Sequence, residues 1–275
     1  MQLSIIISTY NEPEWLEKVI WGYEQQSFKD FELLIADDGS NERTKTVVEK
    51  YINKTFFPIK HIWHEDQGYQ KCTILNKAIA KTSTDYILFS DGDCIPRRDF
   101  AQTHVGLAEK GYFLSGGAIR MPMSLSQLIS KEDIIAQRCF DKNWLETNGL
   151  PKKFFKNLKL TQSPTLANIL NKITPAKSTW NGGNASGWKS DIIAVNGFNE
   201  DLHYGGQDRE FGERMFNLGL KSKQIRYSAV CVHLEHHRAY KTNDAIKKNK
   251  ETRKAVIQKG LVKAANGIDK YLTNQ

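Results

Sequence analysis

The stretch Tyr86-Ile-Leu-Phe-Ser-Asp-Gly-Asp-Cys-Ile-Pro96 decides how the chain is read. Residues 86–89 form a short apolar run after polar residues, which predicts a buried central strand of a parallel sheet. Open α/β sheets receive ligands at the C-terminal ends of such strands. There the run gives way to Asp91 and Asp93, with Gly92 between them to let the backbone approach closely. In an extended segment, residues two apart face the same side, so the spacing predicts both carboxylates in one place. Two hard oxygen ligands suit Mg2+ or Mn2+, and such a cation suits a diphosphate. An Asp-Gly turn with two solvated carboxylates would give the same letters, so the rest of the chain has to decide.

Working outward, the N-terminal hundred residues alternate strand and helix. Residues 3–8 are an apolar β-rich run broken by Thr9-Tyr-Asn-Glu-Pro13, with Pro13 where a first helical turn accepts it. Trp15, Leu16, Val19 and Ile20 recur with helical period and predict a helix over 14–26. A second strand over 31–36 stops at Asp37-Asp-Gly-Ser40, a helix covers 42–53, and a strand covers 59–64. The polar loop His64-Glu-Asp-Gln-Gly68 leads into a helix over 71–81. This spacing predicts an α/β fold with a doubly wound, mostly parallel sheet.

Beyond residue 99 the alternation fades. The pattern predicts a helix over 100–110, a strand over 112–119 interrupted at Gly116-Gly117, and helix over 125–148. Residues 151–177 read as a mobile or amphipathic insertion. Residues 180–198 read as glycine-rich loop, then a short helix from Lys189 and a turn at Asn196-Gly197. A helix over 208–218 ending at Gly219, a late strand over 223–234 and a basic helix over 242–272 complete the chain.

Composition narrows the class. The 275 residues are 40% hydrophobic and 25% charged, enough for a sizeable core. No run approaches the ~18 apolar residues of a membrane span. The opening Met-Gln-Leu-Ser lacks a basic leader and runs straight into strand pattern, unlike a signal peptide. Cys72, Cys94, Cys139 and Cys231 are scattered and form no CxxC pair, which predicts reduced cytoplasmic thiols. The formal charge is +8, and residues 147–190 hold seven lysines and no acid. That excess fits an anionic substrate, solubility, or peripheral docking on an anionic membrane face. No nucleic-acid motif accompanies it.

The order of motifs resembles family 2 glycosyltransferases of the GT-A fold. Ser8-Thr-Tyr-Asn-Glu12, Asp37-Asp-Gly-Ser40 and Asp91-Gly-Asp93 follow three strands in turn. Trp180-Asn-Gly-Gly-Asn-Ala-Ser186, Val195-Asn-Gly-Phe198 and Tyr204-Gly-Gly-Gln-Asp-Arg-Glu210 are similar to the C-terminal region of β-1,4-galactosyltransferases and chondroitin-polymerase-type enzymes. Gln207 stands where that pattern usually has Glu. The resemblance implies one domain over 1–275. Its nucleotide-sugar half is 1–100 and its acceptor-side half 101–240, with a Lys-rich insertion at 147–178 and a basic helix at 241–275. It implies a Rossmann-like twisted sheet with helices on both faces and a C-terminal acceptor-side region.

It also implies roles. The donor's nucleotide and diphosphate fall to Thr9, Tyr10, Glu12, Asp38, Asp66, Gln67, Lys71, Asn76, Asp91, Gly92 and Asp93. Trp180, Gly183, Asn184, Gly205, Gly206 and Gln207 fall on the acceptor side, with Trp188 as a second stacking aromatic. The cation goes to Asp91 and Asp93 with His233 or His236, from Val230-Cys-Val-His-Leu-Glu-His-His-Arg238; His237 is a third choice, and Arg238 is placed to meet a phosphate. Chemistry asks separately for a carboxylate to take the acceptor hydroxyl's proton. Asp208 after its Gly-Gly turn fits that base, with Glu210 next, although a helix cap would use the same aspartate.

The reading is a cytoplasmic, metal-dependent, inverting transferase. It would move a hexose or N-acetylhexosamine from a UDP-sugar to a saccharide or lipid-linked acceptor, using Mn2+ or Mg2+, in surface polysaccharide or glycolipid synthesis. A sugar-phosphate nucleotidyltransferase is the alternative enzyme, but residues 8–13 lack its glycine-rich basic loop. A carbohydrate- or anionic-surface binding module is the non-enzymatic alternative.

Overall fold

The computed structural model describes residues 3–237 and 242–272. Its strands are β1 Leu3–Thr9, β2 Phe31–Asp37, β3 Ile59–Trp63, β4 Tyr86–Asp91, β5 Cys94–Pro96, β6 Tyr112–Ser115, β7 Gly117–Arg120, β8 Asn184–Trp188, β9 Lys221–Gln224 and β10 Val230–His233. Its helices are α1 Pro13–Glu24, α2 Glu42–Tyr51, α3 Lys71–Ala80, α4 Phe100–Leu107, α5 Met123–Leu128, α6 Lys131–Ile135, α7 Lys142–Thr147, α8 Phe154–Asn157, α9 Pro164–Ile173, α10 Lys189–Ala194, α11 Gln207–Asn217, α12 Asn243–Lys259 and α13 Asp269–Leu272.

A seven-stranded sheet runs β3-β2-β1-β4-β8-β6-β9. The first four strands are parallel, and β8 enters antiparallel between β4 and β6. Side-chain alternation along β1 divides the core. Leu3, Ile5 and Ile7 pack with Leu16, Val19 and Val48 under α1 and α2, whereas Ile6 packs with Ile74, Leu75 and Ile79 of α3. Both faces are therefore covered, as a parallel sheet requires. A second sheet of three short strands runs β5-β10-β7.

Several expectations are corrected. The strand expected over 112–119 divides at Gly116, and its halves join different sheets. The late strand likewise splits into β9 and β10. Residues 184–188, expected as loop, are strand β8, because its neighbours supply hydrogen bonds on both sides. The long helix expected over 125–148 is three short ones, restarted by the Ser130 and Asp141 caps. Of the two readings of the Lys-rich segment, the amphipathic one holds and the mobile one does not: it is ordered into α8 and the amphipathic α9, anchored by buried Leu150, Leu160 and Ala167. The C-terminal helix stops at Gly260, which is left-handed with φ 61°. No helix among the described residues is long and apolar enough to cross a membrane.

Candidate active site

Parallel pairing puts the polar ends of β1, β2 and β4 at one edge, with Thr9 opposite Asp37 and Ser8 opposite Asp91. A cleft of about 380 Å3 opens there. On its nucleotide-side wall, Asp38 accepts from His64 Nε2 at 2.9 Å and from the Gln70 amide at 3.0 Å. Burial raises the Asp38 pKa, and His64 offsets part of that rise. Asp37 is fully buried and bonded to the Ser40 amide and His61, so it braces the turn. Tyr10 donates to Asp66 at 2.9 Å, and Thr9 Oγ1 is buried without a partner.

Asp91 and Asp93 both line the cleft, but not as parts of one extended segment. Gly92 and Asp93 form a turn between β4 and β5, and the two carboxylates take different partners. Asp91 Oδ1 accepts from Ser8 Oγ and Lys71 Nζ, both at 2.7 Å. Burial disfavours the Lys71 charge, but Asp91, Tyr69 and Asp208 outweigh it and raise its pKa well above the usual lysine range.

Asp93 is paired with histidines instead. Its Oδ2 lies 3.0 Å from His236 Nε2 and 3.7 Å from His233 Nε2. Burial opposes its ionisation, yet the His236 hydrogen bond and the His233 charge bring its pKa down to about 2. Donor atoms of Asp93, Cys94 and His233 lie within 4.8 Å of one another. The buried Cys94 thiol donates to Asp93 Oδ1 at 3.2 Å, and soft sulfur suits a hard cation such as Mn2+ poorly. A carboxylate and two imidazoles remain, a donor set that fits Mn2+. Glu12 lines the same corner, its pKa raised by burial and partly offset by His236.

Across the cleft, Gly205 and Gly206 take left-handed φ values of 104° and 96°, and Gly206 caps α11. Asp208 is therefore not the cap. It lies in the first turn, with Oδ1 buried and unpartnered. Burial raises its pKa, Lys71 opposes the rise, and Asp91 adds to it. The loop at Gly182-Gly183 presses on both carboxylates. A Cβ at Gly182 would lie 2.6 Å from Asp208 Oδ1, and one at Gly183 2.7 Å from Asp91 Oδ2.

Other expected site residues lie elsewhere. Glu210 is sealed in a two-pronged ion pair with Arg214, both 1% exposed, and cannot receive a proton from a substrate. Trp180 is 1% exposed among Phe89, Phe113 and Phe211, so its faces are closed to a sugar. Trp188 packs on Tyr86 and Lys110, away from the cleft. Asn76 is buried against Phe198 and Glu200. Asn184 is buried and bridges to Gly117 and Ala229. Gln207 is tied to Tyr69 and the Gly205 amide, and Gln67 points outward near Gln70. Neither Gln67 nor Asp66, Gly205, Gly206 or His237 lines the cleft. Arg238 lies outside the described residues. Tyr69, Tyr204, Asn181 and Arg120 do line it and were not anticipated. The aromatic pair Tyr69 and Tyr204, with centroids 5.8 Å apart, is signalled only by tyrosines next to the two glycine-bearing loops.

A four-stranded parallel unit with acidic strand ends, extended by an antiparallel strand and a second small sheet, defines the GT-A class of glycosyltransferases. The chain belongs to Glycosyl transferase family 2: residues 4–165 match that family, and residues 168–237 match one described as the N-terminal domain of galactosyltransferase. It is 27% identical over 246 residues to a chondroitin synthase of Escherichia coli, covering 85% of this chain and 34% of that protein. It is 27% identical over 258 residues to a validoxylamine A glucosyltransferase of Streptomyces hygroscopicus subsp. jinggangensis, covering 88% and 57%. The chain thus spans between a third and a little over half of these relatives. In fold it is similar to S. aureus TarS 1–349 in complex with UDP-GlcNAc, with TM-score 0.63, 16% identity, 99% of this chain and 70% of that one. It is also similar to a mannosyltransferase of Pyrobaculum calidifontis in complex with GDP-Man and Mn2+, with TM-score 0.59, 18% identity, and coverage of 87% and 58%.

Proposed function

We propose that this glycosyltransferase domain moves a hexose or N-acetylhexosamine from a UDP-sugar to a saccharide acceptor, with inversion at the anomeric carbon. The carrying observation is Asp208, a carboxylate with a buried, unpartnered oxygen on the wall that faces Asp91 and Lys71. Its placement suits a base acting on the face of the sugar opposite the leaving group.

Around it, Asp38 and Tyr10 would bound the nucleoside, and Lys71 would add positive charge beside the diphosphate. Asp93, His233 and His236 would hold a divalent cation, which neutralises charge on a departing diphosphate. Asp208 would take the acceptor hydroxyl's proton, with the Gly182-Gly183 loop packed against its carboxylate. The Lys-rich segment supports a further reading, peripheral contact with anionic membrane where a lipid-linked acceptor would lie. Phe154 and Phe155 are 67% and 80% exposed beside Lys152, Lys153 and Lys156.

The test is a panel of UDP-sugars with Mn2+, reading UDP release and the anomeric configuration of the product. Retention would contradict the role given to Asp208, and absence of release from every donor would sink the transferase reading.

A further inference from the structure

Behind Asp208 lies a second cavity of about 330 Å3. It shares Ala118, Asn181 and Asp208 with the main cleft, so Asp208 stands at the junction of the two. Its walls carry three cations drawn from three separate parts of the chain: Lys159, Arg209 and Arg226. Among the described residues, none of the three has an ion-pair partner. Lys159 Nζ reaches only the Ala118 carbonyl, at 3.0 Å. Burial, and then the charge of Arg226, push its pKa below the usual lysine value. The segment that delivers Lys159 has no acidic residue from 147 to 190.

A second observation concerns hydrogen bonds. Arg226 Nε, Trp180 Nε1 and Asp208 Oδ1 are buried with no partner, and all three residues line this cavity. Buried polar groups are ordinarily satisfied, so two orphaned donors beside one orphaned acceptor call for a ligand. The donors and cations ask for anionic oxygen, and the acceptor asks for a hydroxyl. A guanidinium fork matches the two oxygens of a carboxylate or phosphate. The donor's diphosphate does not meet this need, because its place is at the strand ends beside Lys71, on the other side of Asp208.

We propose that the acceptor is an acidic saccharide. Its carboxylate or phosphate rests on Lys159, Arg209 and Arg226, which sets its hydroxyl at Asp208. This rests on the reading of Asp208 as the base.

The test is a calorimetric titration of glucuronate, glucose 6-phosphate and glucose, with UDP release from the UDP-sugar panel measured beside it. Both anions should bind on the order of 10-fold more tightly than glucose, the size of one charge-assisted contact. The tighter anion identifies which group the acceptor carries. Arg226→Gln and Arg209→Gln should bring the ratio toward one without changing the KM for donor, and Arg226→Lys should fall between. Arg209 is exposed, so its variant does not threaten the fold. Equal binding of glucose and the anions, or a preference untouched in both variants, would overturn the proposal while UDP release leaves the transferase reading standing. Anion binding without UDP release from any donor would sink that reading, and the acceptor role with it.

Discussion

Lys71 Nζ and Asp91 Oδ1 are 2.7 Å apart, so the first aspartate of the Asp-Gly-Asp motif is already neutralised by the chain itself. The second, Asp93, is matched instead with His236 and His233. One motif thus carries two carboxylates with different partners, and they should respond differently to substitution.

Asp93→Ala and His236→Ala should raise the Mn2+ concentration needed for half-maximal activity by ~10–100-fold or more, as loss of metal-site groups does. Asp91→Asn should weaken donor binding while leaving the Mn2+ requirement nearly unchanged. Metal titrations of UDP release check both. Matching shifts in all three variants would return Asp91 to the ligand set.

Asp208→Asn should slow transfer by roughly 10²–10⁴-fold, the usual worth of general-base assistance, with UDP affinity preserved. Because burial raises the Asp208 pKa, activity should rise with pH through a midpoint above the ordinary aspartate value. A raised carboxylate pKa means the ionised form costs the fold stability at neutral pH. The Asn variant should therefore melt no lower than the parent at pH 7. A variant that stays fully active would take the base away from Asp208.

Glu210→Gln should fail for a different reason. The Glu210–Arg214 pair is 1% exposed, and removing one partner strands a buried guanidinium. The expected loss is roughly 3–5 kcal/mol, read as a fall of about 10 °C in Tm. An inactive variant with an unchanged Tm would make Glu210 chemical after all.

His104 predicts an acid limb in stability. It is fully buried, with Nε2 2.9 Å from Asn184 Oδ1 and Nδ1 2.7 Å from Ser186 Oγ, and burial lowers its pKa from 6.5 to about 4. The unfolded chain takes up the proton first, so stability is complete above pH 6.5 and falls as pH drops toward 4. The loss is on the order of 3 kcal/mol. Denaturant melts of wild type and His104→Gln across that window should differ in slope. Identical slopes would refute the assignment.

For the membrane reading, Phe154→Ser with Phe155→Ser should abolish sedimentation with phosphatidylglycerol vesicles. Wild-type binding should fade with salt and be absent with phosphatidylcholine. Equal recovery on both lipids would remove the electrostatic part of the claim.

The first hundred residues were legible because each strand is a short apolar run closed by a polar motif, a pattern the parallel sheet imposes locally. Strand β8 was hidden, since Asn-Ala-Ser-Gly-Trp has little strand propensity and is held by its neighbours. Asp38, Lys71 and Asp93 could be placed in the cleft from their motifs. Trp180, Asn184 and Gln207 could not be sorted, because a short polar or aromatic motif reads the same whether it faces substrate or packing. The cationic cavity was invisible for a simpler reason. Lys159, Arg209 and Arg226 come from three distant segments, and only the folded chain brings them to one wall.

Asn184 belongs to the seven-stranded sheet by its backbone and to the three-stranded sheet by its side chain, which donates to the Gly117 and Ala229 carbonyls at 2.9 and 3.1 Å. Its amide group is fully buried and also holds His104. Prying the sheets apart would strand all of these groups at once, so this seam is a weld and not a hinge. The cleft cannot widen by swinging one sheet against the other. Whatever opening releases the spent nucleotide must come from its edges, and the exposed stretch Glu65-Asp-Gln-Gly68, which reaches the cleft through Gly68 and is tied to it by the Tyr10–Asp66 hydrogen bond, is one such edge. Turnover in this enzyme would then be timed by a loop, with the two sheets serving as its fixed frame.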